Sequence, residues 1–267
     1  MAALWVFIKR GFLTTFSYRL ASALMLAGMF IGVIQYGFMA KFLKEGNTFP
    51  LLAPYGGDIM AYLITGSMFM AFLGVSLNSF SGTIRQEQMM GTLEYLLLSR
   101  TPLPLIMINS ALWNFLMTCF NTVLIFLVII LVFGMKLSVN ALASLQVLIL
   151  SIVCISGIGL MSAGVILVTK HGDPITWGFS TLTGLLSGVI FPVQVLPNFL
   201  RKISAVLPPT YALRAIRKAV IVNAGFSQLR GDILSLSVMS LVTLSLGYYL
   251  FRWGFNRARR DGSLAEY

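Results

Sequence analysis

Residues 105–133 read Leu105-Ile-Met-Ile-Asn-Ser-Ala-Leu-Trp-Asn-Phe-Leu-Met-Thr-Cys-Phe-Asn-Thr-Val-Leu-Ile-Phe-Leu-Val-Ile-Ile-Leu-Val-Phe133, 29 positions without one Asp, Glu, Lys, Arg or His. A helix crosses the roughly 30 Å of a bilayer's hydrocarbon core in about 20 residues, so this block is long enough and apolar enough to span. It lacks the alternating period of a barrel strand, and lipid satisfies no exposed backbone group, which leaves a helix as its only sensible form. Five more blocks surround it: 20–39, 59–80, 142–168, 175–195 and 233–251. Blocks 105–133 and 142–168 exceed a perpendicular crossing and are expected to tilt or project beyond the membrane. With 58% hydrophobic and 10% charged residues, and a mean hydropathy of +0.89, the chain has too little polar surface to cover a soluble globule. The expectation is an all-α polytopic protein, one transmembrane domain over 1–267 with six transmembrane helices.

The first nineteen residues read as an interfacial helix over 1–19. Leu4, Ile8 and Phe12 recur at helical spacing, while Lys9 and Arg10 occupy another face. The basic pair follows the leading apolar residues instead of preceding them, so a cleaved signal peptide is not expected and the first span is retained. Cys119 and Cys154 lie inside apolar blocks without paired spacing and imply neither a disulfide nor a metal site. The net charge is +11, and the expected partner is membrane lipid, with no nucleic acid.

With both ends placed in the cytoplasm, ten basic residues fall inside and nine outside, and without the last loop the count is ten to three. That loop, 196–231, is expected to be external and to carry short helices. Pro208 and Pro209 stop any preceding helix, and Leu213, Ile216 and Val220 then repeat against Arg214, Arg217 and Lys218. The bland reading sets these cations at lipid headgroups; the sharper one gives them to an anionic substrate.

Between the second and third blocks lies a polar island, Arg85-Gln-Glu-Gln-Met-Met-Gly-Thr-Leu-Glu94 and on to Arg100, closed by Pro102 and Pro104. Charges at the bilayer centre cost about 2.5–3.5 kcal/mol each on insertion scales, so 85–101 must sit at or above the interface as a short amphipathic helix. Its residues alone leave a solvated linker and a partner-docking helix both open.

The order Arg85, Glu87, Gly91-Thr92-Leu93-Glu94, followed by a proline-bearing turn, resembles the cytoplasmic loop of ABC-2 type permeases, the membrane subunits of ATP-binding-cassette exporters. The fifth block, running through Ser187-Gly-Val-Ile-Phe-Pro192 to Leu207-Pro-Pro-Thr-Tyr211, is similar to that family as well. The resemblance implies that 85–101 is a cytoplasmic coupling helix, with Arg85, Glu87, Gly91, Thr92 and Glu94 docking on an ATPase. Lys170 and Asp173, in the turn after the fourth block, would form a second contact. It implies two ATPase subunits, which carry the ATP and Mg, a second permease subunit as homo- or heterodimer partner, a membrane-lipid environment, a cell (inner or cytoplasmic) membrane location, and cytoplasmic termini. It also sets the first, second and fifth spans around a central cavity, where Gln35, Asn78, Thr181, Thr183 and Ser187 would face the path.

Other classes fare worse on the residues themselves. No Gly-x-x-x-x-Gly-Lys-Ser/Thr loop is present, so the chain has no nucleotide cradle and is not expected to be an enzyme, bind a cofactor or hold catalytic residues. The spans hold no ionisable side chain well inside them, which weighs against a proton- or ion-coupled carrier or a channel and against intramembrane catalysis. Gly28-Met-Phe-Ile-Gly32 and Gly184-Leu-Leu-Ser-Gly188 have the small-xxx-small spacing of helix-packing faces. Export of a hydrophobic or amphiphilic compound, a drug or lipid, is the leading expectation, with a polysaccharide or other glycoconjugate as the alternative within the family.

Overall fold

The computed structural model describes residues 9, 12–13, 17, 19–44, 50–89, 103–133, 138–169 and 173–260. Every regular element among them is helical. In chain order these are α1 (Arg19–Lys44), a 3-10 helix (Pro50–Tyr55), α2 (Ile59–Met89), α3 (Leu103–Phe133), α4 (Ala141–Thr169), α5 (Pro174–Leu186), a 3-10 turn (Val193–Val195), α6 (Asn198–Ser204), α7 (Pro208–Ile221) and α8 (Phe226–Arg260).

Among the described residues four helices are long and apolar enough to cross a membrane: Ile59–Arg85, Ala111–Val132, Ala141–Thr169 and Phe226–Arg260. Of the other two expected spans, block 20–39 lies inside the 26-residue helix α1, and α5 stops after 13 residues where a continuous helix over 175–195 was expected. Thirteen residues rise about 20 Å, well short of the hydrocarbon thickness. The interfacial-helix expectation for 1–19 falls mostly outside the described residues. The polar island is helical through Met89 as the end of α2, and 90–102 lies outside. The 196–231 segment does carry short helices, α6 and α7, but its last residues already belong to α8.

Side-chain register fixes how the long helices run. Ser240 Oγ donates to the Leu150 carbonyl at 3.4 Å and Thr243 Oγ1 to that of Cys154 at 2.8 Å. Gly247 abuts Gly157, and Gly254 abuts Gly164. The offset between partners hardly changes along the pair, so α4 and α8 are parallel. Gly159 likewise faces Leu77, and Ile84 clusters with Ile166, which makes α2 parallel to α4 as well. Near the end of α3, Ile129 packs on Ala61, Ile64 and Met68 at the start of α2, so α3 is antiparallel. Since α4 and α8 run the same way, the chain between them must travel back. It does so with a short helix, a turn and two further helices.

Glycine carries the α4–α8 seam for a physical reason. Lipid tails are as apolar as leucine, so helices in a membrane gain from close van der Waals contact more than from leaving solvent, and small residues let the backbones approach. A Cβ on Gly164 would lie 2.6 Å from the Leu250 carbonyl oxygen, and one on Gly157 2.6 Å from the Thr243 carbonyl carbon. Beside this seam, Leu73, Leu77, Val147, Ile155, Leu213 and Leu236 join α2, α4, α7 and α8 in one core.

Candidate functional site

Helix α5 begins cleanly. Pro174 occupies its first turn, where a missing N–H costs nothing, and Asp173 caps it by accepting from the Thr176 N–H at 2.9 Å. Asp173 also accepts from the Ser162 hydroxyl of α4. Burial alone would raise the pKa of Asp173, but the bonds from Ser162 and Thr176 outweigh it and hold the carboxyl below its usual 3.8.

The other end of α5 is a break. Ser187 N–H still bonds the Thr183 carbonyl at 3.0 Å, and Gly188 then turns at φ +82, a left-handed conformation that a Cβ disfavours. From Ser187 to Pro192 no helical ladder satisfies the backbone. Irregular backbone is tolerated in a membrane domain only where other protein groups take up its polar atoms, and here Arg217 of α7 does so. Its Nη1 donates to the Gly188 carbonyl at 2.6 Å, its Nη2 to those of Val189 at 2.9 Å and Tyr62 at 3.0 Å, and its Nε to Thr65 Oγ1 at 3.3 Å. Tyr62 Oη donates to the Gly188 carbonyl at 2.7 Å, which fills the second lone pair of that oxygen. The guanidinium carbon sits 3.4 Å from the Tyr62 ring centroid, a cation–π contact worth about 2 kcal/mol when desolvated.

Arg217 is 2% exposed, which corrects the expectation that it sits at lipid headgroups. Burial pushes its pKa down to about 10, so it remains a cation at neutral pH. Its neighbours on α7 have a different partner. Asp232 of α8 has a side chain only 5% exposed; it accepts from Arg214, at 2.8 Å from Nε and again from Nη2, with Lys218 Nζ 3.6 Å from its other oxygen. The cations of α7 are therefore engaged within the protein, Arg217 by burial and Arg214 and Lys218 by their shared carboxylate.

Two cavities flank this junction. One of about 240 Å³ is lined by Tyr62, Ser187, Arg201, Tyr211, Arg214 and Arg217 among others; the second, about 640 Å³, is lined mainly by Met68, Phe69, Phe72, Phe126, Leu145 and Ile216. Among the described residues no group of three or more His, Cys, Asp or Glu could hold a metal ion.

The expected path residues separate into two sets. Gln35 on α1, Asn78 on α2 and Thr181 on α5 are exposed. The Asn78 amide donates to the Gly74 carbonyl at 2.8 Å and the Thr181 hydroxyl to that of Trp177 at 2.9 Å. Thr183 and Ser187 are buried, and neither hydroxyl has a hydrogen-bond partner. Of the expected packing glycines, a Cβ on Gly28 or Gly32 would meet nothing within 4 Å, one on Gly184 would meet only Met70 at 3.9 Å, and Gly188 stands past the helix end. Among the coupling residues, Arg85 is exposed near the end of α2 and Glu87 lies within that helix. Gly91, Thr92, Glu94 and Lys170 fall outside the described residues. Sequence reasoning missed Arg217 as the keystone of the break and the Gly157, Gly164, Gly247 and Gly254 seam. Gly188 and Pro192, four residues apart inside one expected span, were the signal that could have found the break.

A family model described as ABC-2 type transporter matches residues 2–221, which takes in every element from α1 to α7. No curated protein matches the chain.

Proposed function

The chain belongs to the ABC-2 type transporter family, and from that premise we propose that it is the membrane subunit of an exporter driven by a separate ATPase. Two copies, or this chain and a related one, would pair with two ATPase subunits, which bind the ATP and Mg. ATP-driven closure of the ATPases would push 85–101 and switch the spans between inward- and outward-facing states.

The observation that carries this reading, beside the family match, is the common direction of α2, α4 and α8. Their C-terminal ends lie at one end of the bundle, so Arg85, Asp173 at the start of α5, and Arg257, Arg259 and Arg260 share a face. A basic face of this kind suits the cytoplasm, and a docking ATPase would meet the polar island and the α4–α5 turn together. For the cargo, the cavity of about 640 Å³, lined mostly by apolar side chains and by no charged one, supports a hydrophobic or amphiphilic compound over a polysaccharide, whose many hydroxyls would ask for polar partners along its route.

The test is copurification with an ABC ATPase encoded beside this chain, wild type against Glu94→Arg. Loss of the ATPase, or hydrolysis uncoupled from transport, is the expected result of the charge reversal. If no ATPase associates with the wild type, or transport persists with a hydrolysis-deficient ATPase, the reading is wrong and a secondary carrier or channel takes its place.

A further inference from the structure

The 240 Å³ cavity beside the α5 break has a chemistry that the packing of the break does not explain. At its inner side is Ser187, 2% exposed, whose hydroxyl has no hydrogen-bond partner. A buried hydroxyl left unmatched is destabilising unless something in the cavity takes its bond. Arg217 borders the same cavity. Its guanidinium has five N–H donors; four are placed on Gly188, Val189, Tyr62 and Thr65, and the second hydrogen of Nη1 is left over. Arg214 meets Asp232 through Nε and Nη2, which leaves its Nη1 uncommitted. At the exposed side Arg201 uses Nη2 on the Gln194 carbonyl at 2.7 Å and the Leu196 carbonyl at 3.4 Å, and its Nε and Nη1 remain.

The charges around the cavity do not balance. Among the described residues Arg201, Arg214 and Arg217 line the cavity and no carboxylate does; Asp232 stands beside it, paired with Arg214 and Lys218. Asp58, at the start of α2, is turned to the Met60 N–H and does not line the cavity. Tyr62 and Tyr211 spend their hydroxyl hydrogens on the carbonyls of Gly188 and Ala205, so they do not compete for the arginine donors. What remains is a small chamber with uncommitted N–H groups from α6 and α7 and a hydroxyl from the end of α5.

We propose that this chamber is an anion site that takes a tetrahedral phosphate group, either the head of an amphiphile or a free phosphate. Arginine forks suit both carboxylate and phosphate. Donors arriving from three arginines and a serine favour the group with more oxygens, since a planar carboxylate cannot turn its two oxygens toward all of them. Arg217 remains protonated throughout the neutral range, with a pKa of about 10, so the site keeps its charge under ordinary conditions. The proposal stands on the cavity and not on the ATPase reading, because binding is measured on the chain alone.

The experiment titrates the purified full-length chain, in phosphate-free detergent, with inorganic phosphate and separately with dihexanoyl phosphatidic acid, by calorimetry and phosphorus NMR. Wild type, Ser187→Ala and Arg201→Gln are compared, with hexanoate as the carboxylate control. One saturable site is expected in the wild type, weakened roughly tenfold in each variant for the loss of one hydrogen bond to a charged group. The melting temperature of Ser187→Ala should not fall, because it removes a hydroxyl that nothing in the protein satisfies. Phosphate binding as tightly as the lipid identifies a free anion as the ligand, and saturation by the lipid alone identifies a headgroup. The proposal is overturned if neither saturates a cooperatively melting wild type, if both variants bind like wild type, or if hexanoate binds more tightly than the phosphates.

Discussion

Two glycine-bearing surfaces of this protein obey different rules. Along α4 and α8, glycines seven residues apart on each helix meet in pairs, Gly157 with Gly247 and Gly164 with Gly254, and no side chain fits between the backbones. On α1, Gly28 and Gly32 have the four-residue spacing often associated with helix contact, yet nothing approaches a Cβ built on either. Leu24, Ile31, Phe38 and Phe42 on the same helix are exposed. The comparison teaches that spacing of small residues marks a surface able to pack closely; whether it does so within one chain depends on a matching helix. The α4–α8 seam has its match in this polypeptide, and among the described residues the Gly28–Gly32 face of α1 does not.

The sharpest way to break the comparison is to fill the covered seam. Gly247→Val places a branched side chain against the Gly157 carbonyl, a backbone atom that cannot rotate away. Overpacking of this kind costs about 3 kcal/mol, and the expected result is a large drop in detergent melting temperature with most of the protein aggregating on size-exclusion chromatography. A fully stable Gly247→Val variant would show that the seam is loose.

Arg217 shows that coverage at the α5 break is achieved by polar satisfaction instead of close packing. Arg217→Met would leave the Val189 and Tyr62 carbonyls without their side-chain donor, while Gly188 keeps Tyr62 Oη. Because removing the guanidinium also removes the cost of burying it, the net loss should be about 2 kcal/mol. Melting temperature is again the readout, and Arg217→Lys should recover only part of the loss, since one ammonium cannot reach three carbonyls in a fork.

These two regions also differ in how far the sequence reveals them. The long apolar blocks announce helices on length alone, and the described residues form helices in all of them. What the blocks could not convey is continuity: block 175–195 is uncharged throughout, but Gly188 and Pro192 end its helix, because hydropathy measures affinity for lipid and not the hydrogen-bond ladder. The basic residues of α7 were assigned to a wet face because Arg214, Arg217 and Lys218 alternate with the apolar repeat of Leu213, Ile216 and Val220, yet at about 100° per residue Arg217 falls beside Leu213 and not opposite it. That inference assumes one covered side. In the fold, Tyr62 of α2, 155 positions away, and the α5 break receive Arg217, while Asp232 of α8 pairs with Arg214, and none of these partners shows in the period of α7 itself. The glycine seam was missed for a similar reason, since its four members are spread over two helices about ninety positions apart and mean little until the helices are aligned.

A smaller effect is expected at the opposite end of α5. Asp173→Ala removes the helix cap and should cost about 1 kcal/mol. The acidity of the native residue gives a second check. Its carboxyl is held below 3.8 in the folded protein, so its stabilising contribution is complete above that value and disappears as pH falls through the lower folded pKa. The melting-temperature gap between wild type and Asp173→Ala should therefore narrow as pH is lowered from 6 to 3. A constant gap across that range would mean that the charge of Asp173 plays no part in the cap.

The smallest effect on the single chain is expected on α1, and it decides what the comparison means. Gly32→Val meets open space, and replacing a helical glycine usually lowers conformational entropy in the unfolded chain, so the melting temperature should change by less than that of any variant above. If α1 is the surface on which a second subunit packs, the same variant should weaken association, read as a fall in disulfide cross-linking between chains carrying a cysteine at exposed Ile31. Gly247→Val and Gly32→Val would then form a crossed pair, one destroying the fold and the other sparing the fold while loosening the assembly. If cross-linking is unchanged by Gly32→Val, the α1 glycines face lipid, and the seam between subunits must be sought on another exposed face, for which α5 with Trp177, Thr181 and Leu185 is the next surface to test.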